Sequence, residues 1–208
     1  VGSEMCIRDR WGGVIVLVLL CLNCKKPGFS AQEKERILSQ KGQIMRICTV
    51  DRQEDSLFLR QEALKLTDAE LNSPYYSILK KGLLATVQDS SNPGVGIAAP
   101  QVGISRCLIL VQRFDKAGEP FEAYINPEIV YYSPARITGR EGCLSIPDTE
   151  GNVSRSETIV INYLEEMSGL ERQDTVSGFT AVIFQHETDH LKGILFTDKM
   201  IPEQSPVN

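Results

Sequence analysis

Histidine is scarce in this chain, which has two among its 208 residues. The sequence also lacks internal repeats and low-complexity tracts, so nothing in it indicates a repeat architecture. Hydrophobic residues make up 42% and charged residues 24%, as is typical of a globular protein with one sizeable core. The net charge of −5 is unlike that of a general nucleic-acid binder, and we expect no direct nucleic-acid partner.

Cysteine is present but not in a disulfide pattern. The six cysteines are spaced unevenly, which excludes the framework of a small secreted fold; they are Cys6, Cys21, Cys24, Cys48, Cys107 and Cys143. A phosphate-binding loop is also excluded at the glycine-rich stretch 94–103, because no Lys-Ser/Thr pair follows it.

The N-terminal sequence indicates a segment separate from the catalytic domain. Residues 11–22 are apolar but too short for a membrane span, and arginines precede them, as in a signal peptide. Cys24 follows, with Cys21 as the second choice, so residues 1–24 resemble a lipoprotein leader that would anchor the chain to a membrane. Residues 1–10 also resemble translated adapter sequence, and the alternative is an artefactual start. We expect a polar linker over 25–44, helical or disordered, and a catalytic domain over 45–208.

The body of the chain predicts an α+β fold. Ser73 as N-cap and Pro74 at the first helical position begin a helix whose apolar face repeats at helical spacing. Strands are predicted at 106–112, 123–132 and 158–165, which are rich in β-branched and apolar residues. A closing helix over about residues 176–191 ends near Gly193. Strands first and one buried helix late favour α+β over a βαβ alternation.

Both histidines lie in the closing helix, in the stretch QHETDHLKG at 185–193. Positions i and i+4 share one helix face, so His186 and His190 can hold one metal ion, with Glu187 beside it. The alternative is a surface helix with two unrelated histidines. The apolar residues upstream favour a buried helix, where polar side chains need partners.

Two further stretches are candidates for the same site. In EGCLS at 141–145, Cys143 offers a thiolate, a strong ligand for a borderline metal; taken alone, the simpler interpretation is a buried core residue. In GVGIAAPQVG at 94–103, small residues allow a close backbone approach and Gln101 offers an amide donor; alone, the stretch could be a turn into a strand.

Taken together, GVGIAAPQ, EGCLS and QHETDH resemble the three motifs of the peptide deformylases, in the same order. That family removes the formyl group from N-formylmethionine at nascent N-termini. The resemblance covers about residues 45–200 and implies antiparallel sheets wrapped around the helix that carries the histidines. It implies Cys143, His186 and His190 as metal ligands, with Fe(II) in the cell and Ni or Zn as replacements. The donor atoms alone suit Zn, Ni, Co or Fe(II) alike.

The resemblance also implies the catalytic roles. Glu187 is the general acid/base, and Gln101 and the backbone N–H of Leu144 face the developing oxyanion. The implied partner is an N-formylated peptide or a nascent-chain N-terminus, which also makes the ribosome a candidate partner.

The substrate contacts follow partly from the resemblance and partly from helix register. The resemblance implies that Val95 and Gly96 pair with the substrate backbone. The register of the closing helix makes Phe179, Val182 and Ile183 candidates for an apolar pocket wall, with Val95 opposite.

Two other functions are compatible with part of this residue pattern. A zinc endopeptidase shares H-E-x-x-H but needs a third histidine or glutamate ligand, and no third histidine exists. A non-catalytic module would have lost Glu187 or Gln101, and both are present. The family resemblance implies a cytoplasmic protein. If the leader is functional, the alternative is a lipid-anchored or periplasmic protein. Such a protein would be a catalytically weak, deformylase-like protein that acts on another N-acylated peptide.

One charged contact is also predicted. Arg155 lies twelve residues after Cys143, where the family has an arginine in the region of its second motif. We expect Arg155 to form a partly buried ion pair with Glu141, and also with Asp189, tying the cysteine turn to the histidine helix. The alternative is a set of ordinary surface charges.

Overall fold

The computed structural model describes residues 28–41 and 43–202. The predicted leader, with Cys21 and Cys24, lies outside these residues. Within them, no helix is long and apolar enough to cross a membrane.

Helices and antiparallel strands follow one another along the described chain. The helices are α1 (Ala31–Gln40), α2 (Gln53–Leu59), α3 (Asp68–Leu71), α4 (Pro74–Val87) and α5 (Gly178–Leu191). The strands are β1 (Gly96–Ala98), β2 (Leu108–Gln112), β3 (Phe121–Tyr132), β4 (Arg136–Cys143), β5 (Ile146–Ser156), β6 (Thr158–Leu164) and β7 (Glu171–Ser177). Short 3-10 helices cover Ala99–Val102 and Phe196–Lys199.

The strands form two sheets in the described part of the chain. One has the order β1-β2-β3-β6-β7, and the other is the hairpin β4-β5. All neighbouring strands in both sheets pair antiparallel. The α+β fold class is therefore confirmed, and the three predicted strands correspond to β2, β3 and β6.

Helix α5 lies at the centre of this arrangement. It packs against β1, β2, β3, β6 and β7 of the large sheet and against β5 of the hairpin. Its Phe184 is fully buried and contacts the Tyr124 ring edge-on, with the ring centroids 4.6 Å apart. The helix ends where Gly193 takes φ +68°, and a Cβ there would lie 2.3 Å from the Arg60 carbonyl oxygen. A glycine is therefore required where the chain leaves the helix.

Helix α4 covers the predicted stretch and packs as expected. Ser73 occupies the N-cap position, although its side chain does not cap the helix and instead donates to the Glu70 carbonyl. Leu79, Leu83 and Val87 are completely buried. Their spacing of four residues puts them on one face, which forms part of the core.

The predicted linker 25–44 contains helix α1, and this helix packs on the domain. A capping box begins it, with Glu33 N–H donating to Ser30 Oγ and Ser30 N–H donating to Glu33 Oε2. Phe29 and Ile37 are buried in the same core cluster as α4. Residues 29–37 are thus ordered by tertiary contacts that a polar composition does not reveal.

Candidate metal centre and active site

Helix α5 presents both histidines on one face, as their spacing predicts. The ring centroids of His186 and His190 are 5.1 Å apart. His190 is almost fully buried at 1% exposure. The apolar residues that pack α5 into the core therefore also place the two imidazoles inside the molecule.

The turn between β4 and β5 brings Cys143 to the same place. Its Sγ lies 3.2 Å from His190 Nε2, and the ligand atoms of Cys143, His186 and His190 all lie within 4.8 Å of one another. One thiolate and two imidazoles form a set that suits a borderline divalent metal and leaves one tetrahedral position open. The residues therefore fit a catalytic metal site.

The charges of this cluster are coupled. Burial opposes ionisation of Cys143, but His190 and His186 outweigh it and lower the pKa of the thiol well below its ordinary value. Burial likewise opposes protonation of His186, but Cys143 and Glu141 outweigh it and raise the pKa of this imidazole to about 10. Without metal, both shifts favour a Cys143 thiolate together with a protonated His186.

A buried ion-pair network supports the cluster, and the predicted contacts of Arg155 are confirmed. The guanidinium donates from Nε to Glu141 Oε1 at 2.8 Å and from Nη2 to Oε2 at 2.9 Å. Its Nη1 donates to Asp189 on α5. Glu141 in turn bonds His186 Nδ1 at 2.8 Å, which leaves Nε2 of that ring for a metal.

Glu187 is the buried carboxylate of the site. It is 4% exposed, and its Oε2 has no hydrogen-bond partner among the residues that the structure describes. Burial raises the pKa of Glu187 to about 7, even though the neighbouring His186 and His190 act to lower it. A carboxyl with this pKa can exchange a proton near neutral pH.

Gln101 is held so that its amide N–H₂ group faces the cluster. Its Oε1 accepts from the backbone N–H of Ala98 at 2.8 Å, which fixes the orientation of the amide. Its Nε2 then lies 3.5 Å from Cys143 Sγ and 3.4 Å from Ser145 Oγ. Leu144 lies in the β4–β5 turn next to Cys143 and lines the same cleft.

The predicted pocket residues line one cleft with the cluster. Val95, Phe179, Val182 and Ile183 all face it. Gly96 approaches Glu187 so closely that a Cβ there would lie 2.6 Å from Glu187 Oε1. All the predicted site residues except His190 therefore line this cleft, and His190 is buried with its Nε2 3.2 Å from Cys143 Sγ.

Several supporting contacts were not predicted from the sequence. Glu141 was expected to bond Arg155 but not His186. Lys199 donates to both oxygens of Asp189 at 2.7 Å, and the Phe196 ring stacks on His186 at 6.1 Å. Glu141 and His186 are 45 positions apart, and the other two contacts reach from α5 to the segment that follows it. None of the three belongs to a short motif, so the fold is needed to reveal them.

Comparisons with known proteins indicate one family. The sequence profile of the family described as Polypeptide deformylase matches residues 44–205. A peptide deformylase of Prochlorococcus marinus (strain NATL2A) is 38% identical over 150 residues, which cover 67% of this chain and 73% of that one. A peptide deformylase of Stenotrophomonas maltophilia (strain K279a) is 36% identical over 144 residues, covering 69% and 82%.

Solved structures give the same result. The Met-Ala-Ser-bound crystal structure of class I type b peptide deformylase from Acinetobacter baumannii superposes with a TM-score of 0.67 at 38% identity, covering 76% of this chain and 98% of that one. Peptide deformylase from Thermotoga maritima gives a TM-score of 0.65 at 31% identity, covering 76% and 99%. Since sequence and fold agree over most of its length, the chain belongs to the polypeptide deformylase family.

Proposed function

We propose that this protein is a metal-dependent hydrolase that removes the formyl group from N-formylmethionyl peptides and releases formate. The observation that carries the proposal is the position of buried Glu187 beside the Cys143–His186–His190 cluster, at a cleft that also has apolar side chains in its lining. The membership in the deformylase family supports the choice of substrate.

Cys143, His186 and His190 would hold one divalent metal ion. We propose Fe(II) in the cell, with Zn or Ni as replacements; the mixed sulfur and nitrogen donors are compatible with each of them. The ion would supply Lewis acidity, which lowers the pKa of water and polarises the formyl oxygen.

The residues of the chain carry the proton transfers. Glu187 takes a proton from the attacking water as the water oxygen bonds to the formyl carbon. The resulting oxyanion accepts hydrogen bonds from Gln101 Nε2 and the Leu144 N–H. Glu187 then gives its proton to the amine nitrogen, the C–N bond breaks, and formate and a free N-terminus leave.

The walls of the cleft select the substrate. Gly96 lies so close to Glu187 that the reacting centre is crowded, and we propose that this crowding favours a formyl group over a bulkier acyl group. The methionine side chain would lie against Phe179, Val182 and Ile183, with Val95 opposite.

The backbone of β1 offers a pairing edge for the peptide. β1 is an edge strand of the large sheet as the structure describes it, and the Val95 carbonyl already accepts from Gln112 N–H at 2.8 Å on the β2 side. Because alternate residues of a strand point their hydrogen-bonding groups to opposite edges, the N–H and C=O of Gly96 point away from β2. We propose that the substrate backbone pairs there.

The partners and the compartment are proposals of the same kind. Nascent chains at the ribosome are the proposed natural substrates of a cytoplasmic form, whereas a working leader would place the enzyme on a membrane. Fractionation of the producing bacterium, with Cys24→Ala as control, separates the two. If the unsubstituted chain is found in the membrane fraction and Cys24→Ala is not, the anchor is supported. If both proteins are found in the cytosolic fraction, the cytoplasm is supported.

Formate release tests the proposed activity. The full chain, loaded with Fe(II) or Ni(II) under anaerobic conditions, should release formate from N-formyl-Met peptides and leave N-acetyl-Met peptides and internal peptide bonds intact. Glu187→Ala is the matched control. Metal-replete protein that releases no formate would overturn the proposal.

A further inference from the structure

Helix α1 precedes the region matched by the family, yet it is tied into the domain by buried charges. Arg106, which is 6% exposed, donates to Glu33 on α1 at 2.8 Å and to Glu70 at 2.7 Å. Removing one partner from a buried ion pair is costly. The position of α1 on the domain is therefore fixed, and its side chains meet the core at fixed points.

One of those side chains reaches the turn that carries Gln101. The guanidinium of Arg36, on α1, donates from Nη1 to the carbonyl of Val102 at 3.2 Å. It lies over Gly103, where φ is +76° and where a Cβ would be only 1.4 Å from Arg36 Nη1. Gly103 thus provides both the backbone turn and the space that Arg36 occupies.

The same guanidinium reaches the second segment that holds Gln101. Arg36 Nη1 lies 3.5 Å from Cys48 Sγ, and the backbone N–H of Cys48 donates to the Gln101 carbonyl at 2.7 Å. Arg36 therefore contacts the residue that follows Gln101 and the residue that bonds its carbonyl. It does not line the catalytic cleft itself.

We propose that Arg36 is a positioning residue for deformylation: from outside the cleft, it holds the Ala99–Val102 turn so that the Gln101 amide stays aimed at the reacting carbonyl. The inference rests on the proposed function, because it needs Gln101 to stabilise the oxyanion. Helix α1, which precedes the region matched by the family, is then part of the catalytic unit. Loss of such positioning lowers the rate without removing any group that touches the substrate.

Kinetics of Arg36→Ala in the full, metal-loaded chain test the proposal. We expect kcat to fall on the order of threefold to tenfold, the scale of the net contribution of one intramolecular hydrogen bond, with KM unchanged. In a Gln101→Ala background the same substitution should have no further effect, because the group that it positions is gone. Arg36→Lys keeps one donor and should restore part of the loss. The control is Arg172→Ala, which removes an exposed arginine paired with Glu165 on the large sheet.

A second measurement does not depend on activity. The amides of Gly103 and Ile104 donate to the carbonyls of Pro100 and Ala99 within the turn, and their hydrogen exchange should be faster in Arg36→Ala but not in Arg172→Ala. If the unsubstituted chain releases no formate, the proposed function fails, and this exchange still reports whether Arg36 holds the turn. An unchanged exchange rate in Arg36→Ala overturns the inference. So does an unchanged kcat, or a fall in kcat that is equally large in the Gln101→Ala background.

Discussion

Arg155 holds the carboxylate of Glu141 with two hydrogen bonds of 2.8 and 2.9 Å, and both side chains are buried. Because Glu141 also bonds His186 and Arg155 also bonds Asp189, this pair joins the cysteine hairpin to the histidine helix. The ligands come from two elements that share no backbone hydrogen bond at this point. We therefore expect the ion pair to help form the ligand set before metal binds, together with the hydrogen bonds between Ser156 of β5 and Gln185 of α5.

Arg155→Ala should lower both the melting temperature and the metal affinity. Breaking a buried pair costs roughly 3 to 5 kcal/mol, because uncompensated charges stay behind in the core. Thermal unfolding and metal titration measure the two effects. The control, Arg172→Ala, removes an exposed pair worth at most about 1 kcal/mol. Similar losses in the two variants would show that the Arg155 network contributes no more than a surface contact.

Glu187→Ala and Cys143→Ala should separate catalysis from metal binding. Glu187→Ala should keep the metal and lose turnover by a factor on the order of 10² to 10⁴, the usual scale for a general base. Cys143→Ala should lose metal affinity itself, because one of three protein ligands is gone. Metal content and formate release are measured on both proteins. Equal loss of metal from the two would mean that the roles are wrongly assigned.

Gly96→Ala should impair turnover although it adds only one methyl group. Its Cβ would lie 2.6 Å from Glu187 Oε1 and 2.8 Å from Ile183 Cγ2, so the base or the pocket wall must move. Overpacking of about 1 to 3 kcal/mol, borne in the transition state, corresponds to a fall in kcat/KM of about 5- to 150-fold.

The matched control for Gly96→Ala is Gly139→Ala on β4, where an added Cβ meets nothing within 4 Å. Metal content should be unchanged in both variants. A Gly96→Ala protein as active as the Gly139→Ala protein would contradict the proposed crowding at the reacting centre.

Cys143 should be a thiolate at neutral pH in the metal-free protein. The neighbouring histidines lower its pKa, so the ionised form persists as pH falls below about 8.5, where an ordinary thiol would take up its proton. Ultraviolet thiolate absorbance of the metal-free chain minus that of Cys143→Ser isolates this group. Burial raises the pKa values of the other described thiols, Cys48 and Cys107, which stay protonated at neutral pH. A difference signal that appears only above pH 8.5 would contradict the coupled thiolate–imidazolium pair.

The sequence was most informative where chemistry is encoded locally. The i, i+4 spacing of His186 and His190 predicts their shared helix face, and this is how they lie. Cys143 is different: EGCLS alone could be a core cysteine, and the resemblance to a family was needed to place its thiol near His190. The contact between Glu141 and His186 joins residues 45 positions apart, so no local pattern encodes it.

The sequence also carries a local signal for helix α1. Ser30 and Glu33 have the spacing of a capping box, which marks a helix N-terminus. The segment is mostly polar, and this composition favours a linker instead. Its buried apolar side chains, Phe29 and Ile37, are too few to form a clear helical pattern. Its attachment through Arg106 depends on a residue more than 70 positions away in sequence. Such a contact follows from the tertiary fold rather than from helix propensity.

X-ray absorption spectroscopy of the zinc-loaded chain tests the central claim, that three separate segments build one metal site. The account predicts one sulfur at about 2.3 Å and two imidazole nitrogens at about 2.0 to 2.1 Å, at one metal ion per chain. Any zinc that Cys143→Ala still binds should show no sulfur neighbour. A spectrum with no sulfur neighbour, or a sulfur contribution that survives in Cys143→Ala, would contradict it.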